Sequence, residues 1–341
     1  MQRRLWVLLP LLCYFLPAAA AAPTRDKIMA WCNDSDPDLR IRGCSLLIQS
    51  GKEPARVLAG AFFNRGNAYE AKGQYDLAIQ DFDSAIKRNP NDAAAFFGRG
   101  STYFAQGQTD SAIQDFDRAT ALDPNDARTL NNRGEAYREM GQQDRAIQDF
   151  DKAITLKPDY ADAFNNRGAA YLAKRQTEHA IEDFDRAIAL DPNDATALNN
   201  RGEAYREKGQ PDRAIQDFDK AIMLKPNYAD AFNNRGGIYL EKKQTDRAIQ
   251  DFDSALKLNP DFVDAFSNRG GAYLLKNQAD LAIKDFDSAI KLNPRNAVAL
   301  YFRGVAKQST GDANGAAKDL AAAKAVDPDI ADSVGHRGFT P

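Results

Sequence analysis

The residues in this chain best suited to chemistry are its carboxylates. Asp81 and Asp83 flank Phe82, and the same Asp-Phe-Asp returns many times down the sequence. Paired carboxylates are the usual equipment of general acid–base catalysis, which requires both groups to converge on one reacting centre. Two aspartates at i and i+2 of a helix point roughly 200° apart and do not converge. Asp83 also has Lys87 four residues on, a helix-surface pair. Arginine is the other recurrent charge. Arg65 stands just before Gly66, and Arg-Gly also returns many times down the sequence. A guanidinium grips a carboxylate through two hydrogen bonds, so the pattern points to structural ion pairs.

Other chemistry finds little support. The two histidines, His179 and His336, are far apart, and no metal site is expected. Asp34, Asp36 and Asp38 resemble a calcium loop, but Leu39 takes the place of its glycine and Ser45 that of its closing glutamate. They read as turn and capping residues. No nucleotide-binding loop or nucleophile–histidine set is present, so neither catalytic residues nor a cofactor is expected. A formal charge of −3 gives no strong pull on nucleic acid.

The elements that carry these charges repeat. Arg-Gly stands at 65–66, 99–100 and 133–134 and so on to 303–304, and proline at Pro90, Pro124 and Pro158 and so on to Pro328, both at one constant step. Eight repeats therefore run over 59–330, numbered here with Ala59 as position 1. Positions 4, 8 and 11 (Phe62, Gly66, Tyr69) form a stripe on a first helix. Positions 20, 21, 24, 27 and 28 (Ala78, Ile79, Phe82, Ala85, Ile86) form one on a second. Gly73 ends the first helix, and Asn89-Pro90 ends the second. One helix pair cannot bury its apolar faces alone, so the repeats must stack.

This pattern resembles the tetratricopeptide repeat family, in particular exported bacterial members. The resemblance implies an all-α fold, a right-handed α-solenoid superhelix of eight antiparallel helix pairs. It also implies a non-catalytic scaffold that binds extended peptides or partner proteins in its concave groove. Alternatives are a substrate-selecting subunit of an enzyme complex, such as a glycosyltransferase or cell-wall enzyme, and a self-assembling solenoid. Position 7, usually leucine in the family, is arginine in all eight repeats, and position 23 is aspartate in all eight. Position 25 is aspartate except at Ala321. Each arginine is expected to pair with the aspartate at position 23 or 25 of its own repeat or with the equivalent aspartate of the neighbouring one. Position 23 is favoured because it persists in repeat eight, giving Arg65 with Asp81, Arg133 with Asp149, Arg201 with Asp217 and Arg303 with Asp319.

First-helix positions 2, 5, 6, 9, 12 and 13 are the family's ligand contacts. Position 6 offers Asn132, Asn166, Asn200, Asn234 and Asn268, and position 5 offers Asn131, Asn165, Asn199 and Asn233. An asparagine amide both donates to and accepts from a peptide backbone. The column resembles the asparagine ladder of O-linked N-acetylglucosamine transferases. Positions 9 and 12 alternate between charged rungs (Glu135 with Arg138, Glu203 with Arg206) and apolar ones that include Leu172 and Leu240. Residues 131–168 and 199–236 differ at only four places, which points to duplication of a two-repeat block.

The ends depart from the repeat. Arg3 and Arg4, the apolar run that follows and the alanines 18–22 have the order of a signal peptide, expected over 1–21. The protein is then exported, to the periplasm in a Gram-negative bacterium and otherwise secreted, with no stable membrane insertion. Residues 22–58 read as a helical cap stapled by a disulfide between Cys32 and Cys44. Residues 331–341 read as a flexible tail.

Overall fold

A computed structural model describes residues 23–335; the expected signal segment and His336 lie outside the described residues. The described chain is built from helices and divides into two compact units, one ending at Leu122 and one beginning at Asp123. The first unit holds α1 (Arg25–Cys32), α2 (Pro37–Ser50), α3 (Ala55–Ala71), α4 (Tyr75–Arg88), α5 (Ala93–Ala105) and α6 (Thr109–Leu122). The second begins with α7 (Ala127–Glu139), α8 (Gln143–Leu156), α9 (Ala161–Ala173), α10 (Thr177–Leu190), α11 (Ala195–Glu207) and α12 (Pro211–Leu224). It continues with α13 (Ala229–Glu241), α14 (Thr245–Leu258), α15 (Val263–Leu275), α16 (Ala279–Leu292), α17 (Ala297–Ser309), α18 (Ala313–Val326) and α19 (Ile330–Gly335). From α3 to α18, odd helices are first helices of a repeat and even helices are second. They make the eight pairs of an α-solenoid.

Seven of the eight pairs close on one aromatic ring; the eighth closes on Leu320. The position-24 phenylalanines from Phe82 to Phe286 are completely buried. Each lies against the position-8 glycine of its own repeat; a Cβ built on Gly202 would stand 2.6 Å from the Phe218 ring. Glycine is required there because the first helix rests on the face of the ring. Burial of such a ring contributes roughly 1.5–3 kcal/mol. The hairpin turn is equally regular. The Gln74 amide donates to the Tyr69 carbonyl at 2.8 Å, across Gly73 in the left-handed region at φ 69°. This is the Schellman closure of a helix end.

The arginines answer the charge pattern. Arg65 donates from Nε and Nη2 to both oxygens of Asp81, at 2.7 and 2.8 Å. Arg201 holds Asp217 in the same fork at 2.8 and 2.7 Å, and Arg303 holds Asp319 at 2.7 and 2.6 Å. Arg133 and Asp149 repeat it at 2.7 Å. The third nitrogen takes the other expected kind of partner, an aspartate of the neighbouring repeat. Nη1 of Arg201 reaches Asp185, and that of Arg303 reaches Asp287, each at 2.7 Å in the preceding repeat. Arg99 and Asp83 make the same contact. Position 23 thus ties the two helices of a repeat, and position 25 ties that repeat to the next.

This division explains both ends. Repeat one has no earlier repeat, and Nη1 of Arg65 donates instead to Ser45 Oγ of α2 at 2.9 Å. In repeat eight, Ala321 stands at position 25, and Asp319 takes a second cation, Lys307, at 2.8 Å. Asp34 and Asp36 cap the start of α2: the Asp36 carboxylate accepts from the Asp38 and Leu39 amides at 2.8 and 3.0 Å.

Residues 331–335 of the expected tail are wound into α19, and Ile330 joins the core around Leu300 and Phe302. Ala331 follows Ala297 at the same interval by which Ala297 follows Val263, so α19 occupies the register of a further first helix. At the other end Cys32 and Cys44 are bridged, with Cα atoms 4.5 Å apart, and both are buried where α1, α2 and α3 meet. Replacing both cysteines by serine is expected to lower the stability of the first compact unit by about 3 kcal/mol, the loop-closure value for so short a loop. Trp31, with the Arg42 guanidinium 4.8 Å over its ring, reports the cap by fluorescence in a denaturant titration. A midpoint unchanged by the serines would show that packing alone holds the cap.

Candidate functional site

Position 6 and position 5 do different work. Asn166, Asn200, Asn234 and Asn268 are half-buried. Each donates its Nδ2 to the position-5 asparagine of the preceding repeat: Asn131, Asn165, Asn199 and Asn233 accept at 3.0–3.2 Å. Those position-5 residues are buried, Asn131 and Asn199 to 4% exposure. The sequence placed both columns among the ligand contacts. The structure turns the inner column into an internal acceptor row that fixes the outer one. The outer column keeps its carbonyl oxygens, and Asn166, Asn200 and Asn268 also keep a second N–H for other partners; the second N–H of Asn234 goes to Glu203. The row ends in the same manner, with Asn296 donating to Ser267 Oγ at 3.2 Å.

The charged rungs also differ from their expected form. Glu203 is half-buried and accepts from Asn234 at 3.1 Å. Burial pushes its carboxyl above the ordinary range, against the opposing pull of Arg206 and Asn234. Arg206 leaves Glu203 and donates from Nε to Glu241 of the next first helix at 2.8 Å, passing Gly237. Burial likewise raises Glu135. Arg138 approaches Glu135 at only 3.9 Å. Leu172 is half-buried; Leu240 is 8% exposed, packs with Tyr239, Phe252 and Ala272, and also lines a cavity between these helices.

Within the second compact unit these helices enclose a cavity of about 1160 Å³. Its walls include Arg206, Asn234, Gly237, Asn268 and Phe302, from α11, α13, α15 and α17. A second cavity of about 850 Å³ shares Gly271, Leu275 and Phe302 with it and adds Leu274, Leu281 and Val305. Sequence reasoning missed Leu275, Leu281, Phe302 and Val305. Their signal was the change of position 13 from glutamate or alanine to Leu275, and of position 6 from asparagine to Phe302. Leu275 is nearly half exposed, more than a leucine on a packed face. Among the described residues, no group of acids, histidines and cysteines is placed to hold a metal ion, and no helix is long and apolar enough to cross a membrane.

Paired helices, a position-8 glycine under a position-24 ring and a recurrent groove face agree with the sequence comparisons. Tetratricopeptide repeat profiles match residues 63–127, 116–148, 161–194, 195–228, 229–262 and 263–296, and a TPR repeat profile matches 134–175. The chain belongs to the tetratricopeptide repeat family. No curated protein sequence matches it. Among solved structures, this tetratricopeptide repeat chain is similar to one from the APC/C hetero-tetramer Cut9-Hcn1, with TM-score 0.65 and 18% identity over 83% of this chain and 54% of that one. It thus spans about half the length of that relative. It is also similar to a tetratricopeptide repeat protein from Parabacteroides merdae, with TM-score 0.61 and 19% identity over 73% of this chain and 98% of that one. The Pseudomonas aeruginosa pilF structure has TM-score 0.54 and 21% identity, over 62% and 97%. At these identities the likeness is one of fold. Tetratricopeptide repeat proteins are in general non-catalytic scaffolds that bind proteins or peptides, and this fold is that of an interaction scaffold.

Proposed function

We propose that this chain is an exported, non-catalytic scaffold that holds an extended segment of a partner protein along the first-helix face of its second compact unit. The observation that carries the reading is the outer asparagine column. Asn166, Asn200, Asn234 and Asn268 are held in place from behind by buried asparagines; Asn166, Asn200 and Asn268 keep donor and acceptor capacity for a peptide backbone, and Asn234 keeps its acceptor. Such contacts bind a strand whatever its side chains. With helices about 10 Å apart and a strand rising about 3.3 Å per residue, two repeats span roughly six ligand residues. Apolar ligand side chains would seat against Leu275, Phe302 and Val305. Export rests on the charge and hydropathy order of residues 1–21, and a disulfide between Cys32 and Cys44 is in keeping with an oxidising compartment.

The test leaves the asparagines intact, because each also holds its neighbour. Gly237 borders the cavity, and a Cβ there would meet nothing closer than Arg206 at 3.8 Å. Gly237→Trp is expected to fill the groove while leaving the thermal midpoint within a few degrees. Peptides selected from a random twelve-residue display library on the wild-type protein should lose at least tenfold affinity for this variant by fluorescence anisotropy. Peptides that bind both proteins equally would place the binding surface elsewhere.

A further inference from the structure

The duplicated block contains the same rung twice, but the two copies are in different electrostatic states. Glu135, Arg138, Asn166 and Ala169 correspond, two repeats on, to Glu203, Arg206, Asn234 and Gly237. In the second copy Arg206 is spent: Nε donates to Glu241 at 2.8 Å, and Nη2 lies 2.7 Å from the same carboxylate. The residue in the place of Glu241 in the first copy is Ala173. Arg138 consequently has no partner on the next first helix. Its Nε is buried and bonds to nothing, and its nearest carboxylate, Glu135, is 3.9 Å from Nη2. Gln143 Oε1, the other unpartnered buried atom of this rung, does not reach it, although the Gln143 amide donates to the Arg138 carbonyl at 3.4 Å.

The Nη groups of Arg138 also donate to nothing, and with the side chain one-third exposed they are the atoms open to a ligand; a charged acceptor is the best partner of a guanidinium. We propose that Arg138 is a specificity-determining residue that binds an acidic side chain of the partner segment, in the place that Glu241 fills for Arg206. This deepens the groove reading by naming one ligand group. One guanidinium serving two carboxylates is the rule in this protein: Arg201 holds Asp217 and Asp185 together. Burial, with Glu139 and Asp162 nearby, raises the Glu135 carboxyl and so lessens its opposition to a second acid. The Arg206 rung is closed to such a ligand because Glu241 occupies it from within. The partner therefore has an aspartate or glutamate at the Arg138 rung, with no counterpart two repeats on.

The test reads the arginine directly and needs no identified partner. The Nε–H resonances of Arg138 and Arg206 are followed by NMR while N-acetylglutamate N-methylamide is added, with N-acetylglutamine N-methylamide as the neutral isostere. Arg138 is expected to shift saturably with the acid alone, and Arg206 to stay still. Ala173→Glu, which installs the missing internal partner, should weaken the acid by about tenfold, whereas Ala173→Gln should weaken it far less. Glu241→Ala should make Arg206 respond. Equal shifts with acid and amide, no shift at Arg138, or a response that survives Ala173→Glu would overturn the assignment. N-acetylalanine carries only a terminal carboxylate; if it binds more tightly, the site reads chain ends and the side-chain assignment fails. Because Gly237→Trp lies on the other rung, the groove reading and this one fail separately.

Discussion

Arg201→Leu is expected to lower the unfolding free energy by about 3–5 kcal/mol, the value for removing one partner of a buried ion pair. Asp217, 6% exposed, would keep a desolvated charge whose two acceptor oxygens have lost their donors. Asp185 is half exposed and would simply return to water, so the loss of that contact adds little. Arg201→Lys should recover only part of the loss, since one ammonium cannot reproduce a fork that serves two aspartates. Leucine is the usual residue at this position in the family, so the lesion lies in the orphaned aspartate and not in the leucine. Arg201→Leu with Asp217→Leu should therefore regain most of the loss, because replacing a buried pair by apolar groups is often neutral. Denaturant unfolding followed at several concentrations of protein reads all three. A single variant that costs less than about 1 kcal/mol would show that the pairs contribute orientation and no stability. The m-value matters too, because a weak repeat in the middle of a stack can split one transition into two.

That experiment probes the part of the molecule that the sequence made most legible. A constant repeat step, with glycine at position 8 and proline at 32 throughout and tyrosine at 11 in all but the last repeat, places both helices of every repeat without any long-range information. The joint occurrence of arginine at 7 and aspartate at 23 in every repeat was equally plain, because both belong to one hairpin. What the sequence could not state is which neighbour a second carboxylate serves. Asp185 and Asp217 occur in the same motif, yet one reaches forward to the next repeat and the other stays within its own. The loss of position 25 at Ala321 hinted at this, but its meaning needed the direction of the inter-repeat contact. The groove was less legible for the same reason. Asn165 and Asn166 are adjacent and chemically identical, and only the helix rotation decides that Asn165 is buried as an acceptor while Asn166 faces outward. Leu240 does line the cavity, but how little of it is exposed there depends on Phe252 and Ala272, which lie on other helices. One available signal was missed: Arg337-Gly338 continues the Arg-Gly step from Arg303-Gly304, and α19 begins in that register.

Phe218→Ala is expected to cost about 3–5 kcal/mol, the range for emptying a core aromatic site. Phe218 is completely buried among Tyr205, Ala214 and Ile238, with Ile181 and Ile215 around them, so the walls of the cavity come from three successive repeats and cannot all collapse inward. The opposite lesion at the same contact is Gly202→Ala. Its methyl would stand 2.6 Å from the ring, and overpacking of that kind costs about 1–3 kcal/mol. The two changes have opposite steric signs. In the double variant the alanine methyl enters the space that the ring has left, so strain disappears and part of the cavity is filled. The costs should then fall short of additivity by about 1 kcal/mol or more, a coupling typical of residues in contact. A double-mutant cycle by denaturant titration measures it. Strict additivity would mean that Gly202 is glycine for some reason other than the ring beneath it, and the close-approach account of the helix pair would fail with it.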